Sequence, residues 1–220
     1  MPINSWLAID LRNHGDSPHG LMDYYTMAAD LLETLAHHNA LPATLVGHSM
    51  GGKVAMTLAL TRPGMVHSLL VADIPPARTG HGQFALGEQM LRVPFPPFLN
   101  RAGADRLLQH YIPNTDVRAL MLQNIRVGEN PGWSIGLREI VESLPNVENW
   151  PYIPEGYTYP GPTLFLAGGN SPYIRPEHYA IMRRLFPCYR LELIEQAGHW
   201  LHVENPERFA ELLENFTEKY

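Results

Sequence analysis

One short stretch restricts the fold of this chain more than any other: Gly47-His48-Ser49-Met50-Gly51-Gly52. An apolar run, Thr44-Leu45-Val46, precedes it, and a helical pattern from Lys53 to Leu60 follows. Strand, tight turn and helix in that order, with Gly-x-Ser-x-Gly at the turn, read as a nucleophile elbow. Such a turn holds its serine in a strained backbone conformation and projects the hydroxyl from the sheet edge into a cleft. Gly47 and Gly51 are expected there because side chains two residues either side of the serine would collide. The helix beginning under the serine turns its positive end toward any negative charge that develops.

A hydroxyl is a weak nucleophile near neutral pH and needs an imidazole to take its proton. The chain offers one far downstream, in Ala197-Gly198-His199-Trp200-Leu201-His202. This loop follows a strand-like run, Arg190 to Ile194. It precedes a helix with Asn205 as N-cap and Pro206 at its first position. Phe209, Leu212, Leu213 and Phe216 recur along that helix at helical spacing. His199 is thus expected on a loop after the last strand.

Bulk properties are permissive. The 220 residues suit one domain with a sizeable core. A net charge of −6, with no basic run, gives no footing for nucleic acid. No apolar run is long enough to span a bilayer, and no basic-then-apolar leader pattern stands at the start. The one cysteine, Cys188, reads as structural, in a turn before a strand; it excludes an internal disulfide and suits a reducing compartment such as the cytoplasm. The 11 histidines show no metal-site spacing, so no metal or cofactor is expected.

Further strands are expected at Trp6–Asp10, Ser68–Ala72 and Thr163–Ala167, and a helix over Met22–His38 with Asp23 as its cap. Strands alternating with helices predict an α/β fold, a mainly parallel sheet with helices on both faces. From about 78 to 160 the alternation stops. Proline clusters and short helical patterns, Asp105–Tyr111 and Asp116–Ile125, replace it. That region reads as a helical cap inserted into the single domain, shaping a substrate pocket.

Five motifs in order carry a resemblance: Asp10 to Pro18, Gly47 to Lys53, Val71-Ala72-Asp73-Ile74-Pro75, Gly168-Gly169-Asn170-Ser171-Pro172 and Gly198-His199-Trp200. From about Trp6 onward the chain resembles the alpha/beta-hydrolase group of small bacterial short-chain esterases and the mitochondrial abhydrolase domain-containing protein 11. The order serine, acid, histidine agrees with that fold. The resemblance implies hydrolysis of small acyl esters or thioesters without a cofactor, through an acyl-enzyme. It also implies a mitochondrial location. A non-catalytic protein that keeps the cleft and binds a protein partner is the other reading open at this level.

The acid has several candidates. The loop after the Thr163 strand, where most such hydrolases place it, holds no carboxylate. Asp73 ends the strand after the nucleophile strand, the position that the resembling bacterial esterases imply; otherwise it is a turn residue before Ile74-Pro75-Pro76. Glu177 reads as a first-turn helix residue, and Glu139 and Glu142 as surface charges of the insertion. The same resemblance gives Ser171 a second hydrogen bond to the acid, and makes the Met50 N–H an oxyanion donor. His48 is expected to pack beside the elbow, His14 to make structural hydrogen bonds, His202 to be partly exposed and Trp200 to anchor the histidine loop by burial.

The fold of the resembling proteins begins with an antiparallel hairpin and a strand ending in His-Gly, whose loop supplies the second oxyanion donor. This chain starts at what corresponds to the fourth strand, and His14-Gly15 is a different motif. The expectation is therefore of an N-terminally incomplete chain, as an isoform, a fragment or a mispredicted start, with weakened activity.

Overall fold

The computed structural model describes residues 5–79 and 83–220. In chain order the elements are α1 (Tyr24–His37), β1 (Ala43–His48), α2 (Met50–Thr61), β2 (Val66–Ala72), α3 (Gln83–Leu91), α4 (Arg101–Gln109) and α5 (Thr115–Leu122). There follow β3 (Ile125–Arg126), β4 (Gly132–Trp133), α6 (Leu137–Val147), β5 (Thr163–Gly168), α7 (Tyr179–Leu185), β6 (Tyr189–Ile194), α8 (Leu201–Glu204) and α9 (Pro206–Lys219). They fall into two compact units, one of residues 23–79 and 146–220, the other of 1–22 and 80–145.

The first unit is built on a parallel sheet in the order β1-β2-β5-β6. Its central strands read as unbroken apolar runs because both faces are covered. Leu70, Ala72, Leu164 and Leu166 point to one side, packed with Ile194, Leu201, Leu212 and Phe216. Leu69, Val71 and Phe165 alternate to the other side and are fully buried. Cutting Leu70 back to Ala there would cost about 2–5 kcal/mol.

Local chemistry explains the helix ends. The Asp23 side chain accepts the Thr26 N–H, and the Thr26 hydroxyl receives the Asp23 N–H in return, so α1 begins with a reciprocal cap. Met27, Leu31 and Leu35 form its buried stripe. Asn205 accepts from the Arg208 N–H and Pro206 opens α9, as the sequence predicts; Leu212 and Phe216 are buried, with Phe209 and Leu213 partly so.

The second unit centres on Met90, Val93, Leu99, Leu108, Ile125 and Val141, which close a separate apolar core. The expected helices over Asp105–Tyr111 and Asp116–Ile125 are present but begin earlier, at Arg101 and Thr115. For the first of them, Asn100 supplies the cap, accepting the Gly103 N–H. The turn-rich stretch after residue 12 folds around buried Asn13. Its side chain bonds both the N–H and the carbonyl of Gly20, and its own carbonyl takes the Gly136 N–H.

One expected strand is absent. Residues 5–11 form no strand among the described residues, and Trp6 and Leu7 are exposed. The apolar run signals an extended backbone, but a strand exists only with a ladder partner. Here the polar groups are taken locally: the Asp10 carbonyl receives the Ser17 hydroxyl at 2.7 Å, and its carboxylate faces the Asp16 N–H.

Candidate active site

Strand β1 ends at His48, and Ser49 follows with φ 53° and ψ −121°, outside the regions that side chains other than glycine favour. Two backbone bonds hold it there: Ser49 N–H donates to the Ala72 carbonyl at 3.0 Å, and the Ser49 carbonyl accepts Lys53 N–H at 3.1 Å. The turn is as sharp as expected. A Cβ on Gly47 would lie 2.4 Å from the Gly51 carbonyl oxygen. Gly51, however, does not have the role expected of it, because a Cβ there meets nothing within 4 Å. The crowded partner is Gly52, whose Cβ would come within 2.8 Å of Ile74. A helix passing over the strand crowds the residue facing the sheet, which is one position further on.

Asp73 leaves the end of β2 in the same abrupt way, with φ 51°, and is fully buried. Its Oδ1 receives the Gly168 N–H at 3.1 Å, from the end of β5. Its Oδ2 receives the Ser171 hydroxyl in a very short contact, and the His199 ring at 2.8 Å through Nδ1. A carboxylate only accepts, so Nδ1 carries the ring proton. That leaves the lone pair of Nε2 facing Ser49 Oγ at 3.0 Å. Hydroxyl, imidazole and carboxylate thus form one directed chain, with Ser171 bracing its far end.

The His199 loop approaches β5 closely. A Cβ on Gly168 would lie 2.2 Å from the Gly198 carbonyl oxygen, so only glycine fits. Tyr173 lies over the imidazole, ring centroids 4.2 Å apart, and its N–H donates to Ser171 Oγ at 3.2 Å. Burial, with Asp73 nearby, raises its phenol pKa. Sequence reasoning missed Tyr173; its only signal was a position two residues after Ser171.

Met50 is the first residue of α2, so its N–H has no carbonyl one turn back. Its place at the start of the helix is where the resemblance expects an oxyanion donor. Of the other acids, Glu177 is exposed in a one-turn helix and Glu142 is exposed on α6, while the imidazole meets Asp73. His14 Nδ1 bonds the Arg12 carbonyl, a local structural contact, and His202 is exposed. Trp200 is largely but not fully buried. The fully buried neighbour is Leu201, at the start of α8. No described helix is long and apolar enough to cross a membrane.

Comparison with known proteins gives a consistent picture. A model of the alpha/beta hydrolase family matches residues 4–212. The chain is 38% identical over 218 residues to the sn-1-specific diacylglycerol lipase ABHD11 of Mus musculus, covering 96% of this chain and 70% of that protein. It is 34% identical to a putative esterase/lipase of Haemophilus influenzae, covering 98% and 74%. Among solved structures, a marine microorganism esterase superposes with a TM-score of 0.86 at 32% identity, covering 94% of this chain and 82% of that one.

Proposed function

The chain belongs to the alpha/beta hydrolase family, and from that premise we propose that it is a serine-dependent hydrolase of carboxylic esters or thioesters. The observation that carries the reading is the directed chain Ser49 Oγ, His199 Nε2, His199 Nδ1, Asp73 Oδ2, with spacings of 3.0 and 2.8 Å. Ser49 attacks the acyl carbon while Nε2 takes its proton. The resulting imidazolium is held between Ser49 and the Asp73 carboxylate. The Met50 N–H faces the oxygen that becomes negative, a donor worth roughly 10²–10³ in turnover in comparable enzymes. The imidazolium then returns the proton to the departing alcohol or thiol, leaving an acyl-Ser49 ester. A water, deprotonated by the same nitrogen, attacks that ester and frees the acid and the serine.

Esters of glycerol are one substrate class to assay, given the diacylglycerol lipase name borne by a relative. The helices inserted between β2 and β5 are read as the cap that selects the acyl group. A fluorophosphonate should label this protein on Ser49, and Ser49→Ala should lose both labelling and short-chain ester turnover, by about 10⁶-fold where losses compare with those in a well-studied protease. Labelling that survives in Ser49→Ala would place the nucleophile elsewhere.

A further inference from the structure

The backbone that carries His199 is gripped by two side chains that take no part in the chemistry. His48 donates Nε2–H to the His199 carbonyl at 2.7 Å. Glu204 receives the Gly198 N–H on Oε2 at 2.7 Å and the Trp200 N–H on Oε1 at 3.1 Å. Both polar atoms of the peptide group after His199 are therefore bonded, and so is the N–H of the peptide group that enters Gly198. We propose that His48 and Glu204 are positioning residues for His199, holding its backbone so that the imidazole spans Ser49 and Asp73. This rests on the reading of Ser49 and His199 as nucleophile and base.

The need is physical. His199 sits on a loop between β6 and α8, and loops are the mobile parts of a fold. Its ring must meet two partners at once, and a misplacement of about 1 Å costs about 10²-fold in rate. The bond from His48 joins the residue before the nucleophile directly to the base. A carbonyl only accepts, so this bond selects the His48 tautomer protonated on Nε2. The ring also lies close to the imidazole it supports, with centroids 4.6 Å apart. A second positive charge there would oppose the imidazolium, and burial, which depresses the His48 pKa to about 4, keeps it neutral.

Glu204 grips from the other side. Buried Leu201 seats the one-turn α8, and the Glu204 N–H returns to the Trp200 carbonyl at 2.9 Å. Gly198 leaves room for the carboxylate: a Cβ would lie 3.0 and 3.1 Å from its two oxygens.

The test uses His48→Phe, which keeps a ring without the donor, and His48→Gln, which keeps a donor. Glu204→Ala and Glu204→Gln are the matching pair. For a short-chain p-nitrophenyl ester, His48→Phe and Glu204→Ala should each lower kcat about 10–100-fold with KM nearly unchanged. The glutamine variants should recover most of that. Amide exchange at Gly198 and Trp200 should rise about 10-fold or more in Glu204→Ala, because the carboxylate no longer protects them. Parental kcat in His48→Phe and Glu204→Ala would overturn the proposal, as would glutamine variants no better than their truncated counterparts. Failure of the underlying reading looks different, because the parent itself would then show no labelling of Ser49. Should His48→Phe not fold, the Glu204 pair, on the exposed side of the loop, decides alone.

Discussion

The Gly168 N–H lies 3.1 Å from Asp73 Oδ1, so the carboxylate oxygen turned away from His199 is already bonded to the end of the neighbouring strand. Every oxygen of this buried acid has a designated donor, and its orientation toward the imidazole is fixed before any substrate arrives. An amide in its place cannot satisfy the same donors. Asp73→Asn should therefore cut ester turnover by about 10⁴-fold, the size of the corresponding loss in a serine protease, by favouring the wrong His199 tautomer. Glu177→Gln, at an exposed position, should change turnover less than about twofold. Steady-state rates of the two folded variants decide it; equal small effects would remove Asp73 from the array.

Ser171 contributes a hydroxyl to the same oxygen that faces His199. A hydrogen bond to a charged group is worth about 1.5–3 kcal/mol, but Gly168 and His199 still hold the carboxylate when this one is removed. Ser171→Ala should lower kcat by about 10-fold and leave KM near its parental value. Parental kcat would show the hydroxyl to be idle in turnover.

His48 makes a statement about acid stability. Its pKa is depressed to about 4, first by burial and then by the nearby His199 and His202. The bond to the His199 carbonyl and the charge of Asp73 pull it back up. Unfolded, it titrates near 6.5. Between these values the unfolded chain binds more protons, so folding stability falls as pH drops from 6.5 through 4. Thermal melts of the parent and His48→Phe, compared across that window, should show the parent losing more. Parallel curves would mean that the ring is solvated.

Lys53 gives a second window of the same sign, on the alkaline side. It is 1% exposed, with Nζ 3.0 Å from the Asn149 carbonyl and 5.6 Å from the centre of the Tyr24 ring. Burial presses its pKa down from 10.5 to about 8, against the pull of Glu148. The folded protein thus binds fewer protons than the unfolded chain between those values, and this group's contribution to stability rises with pH there. The difference in Tm between parent and Lys53→Met should move in the parent's favour from about pH 7.5 to about pH 9.5. A difference that is flat over that range would contradict a buried ammonium.

Much of this was legible from local chemistry. The elbow, the capped helices α1 and α9, and the apolar runs of β2 and β5 each depend on neighbours within a few residues, and each stands where the sequence places it. What escaped depends on distant partners. The Trp6–Asp10 run has an extended pattern, yet no residue in it could announce that a ladder would be wanting. Gly51 and Gly52 are indistinguishable on paper; only the packing of α2 against Ile74 and Val71 tells them apart. Glu204 and His48 bond backbone groups of the His199 loop, and a contact from side chain to main chain leaves no mark in residue type at the receiving end. Ser171 was pointed out by family resemblance, not by its surroundings.

The strand register carries a last consequence. His48 stands opposite Ala72, and Ala72 opposite Leu166, so Ser49 and Asp73 each leave their strands one residue beyond a matched pair. The distance between hydroxyl and carboxylate is thus counted out in residues along neighbouring strands. Side chains alternate with a period of two, so a single inserted or deleted residue within β2 would exchange the side chains of its two packed faces and swing Asp73 away from His199. By this register one apolar residue can replace another between Ser68 and Asp73, but the number of residues there is fixed. Variation in length has to be taken up in the connections, such as the long one that separates β2 from β5.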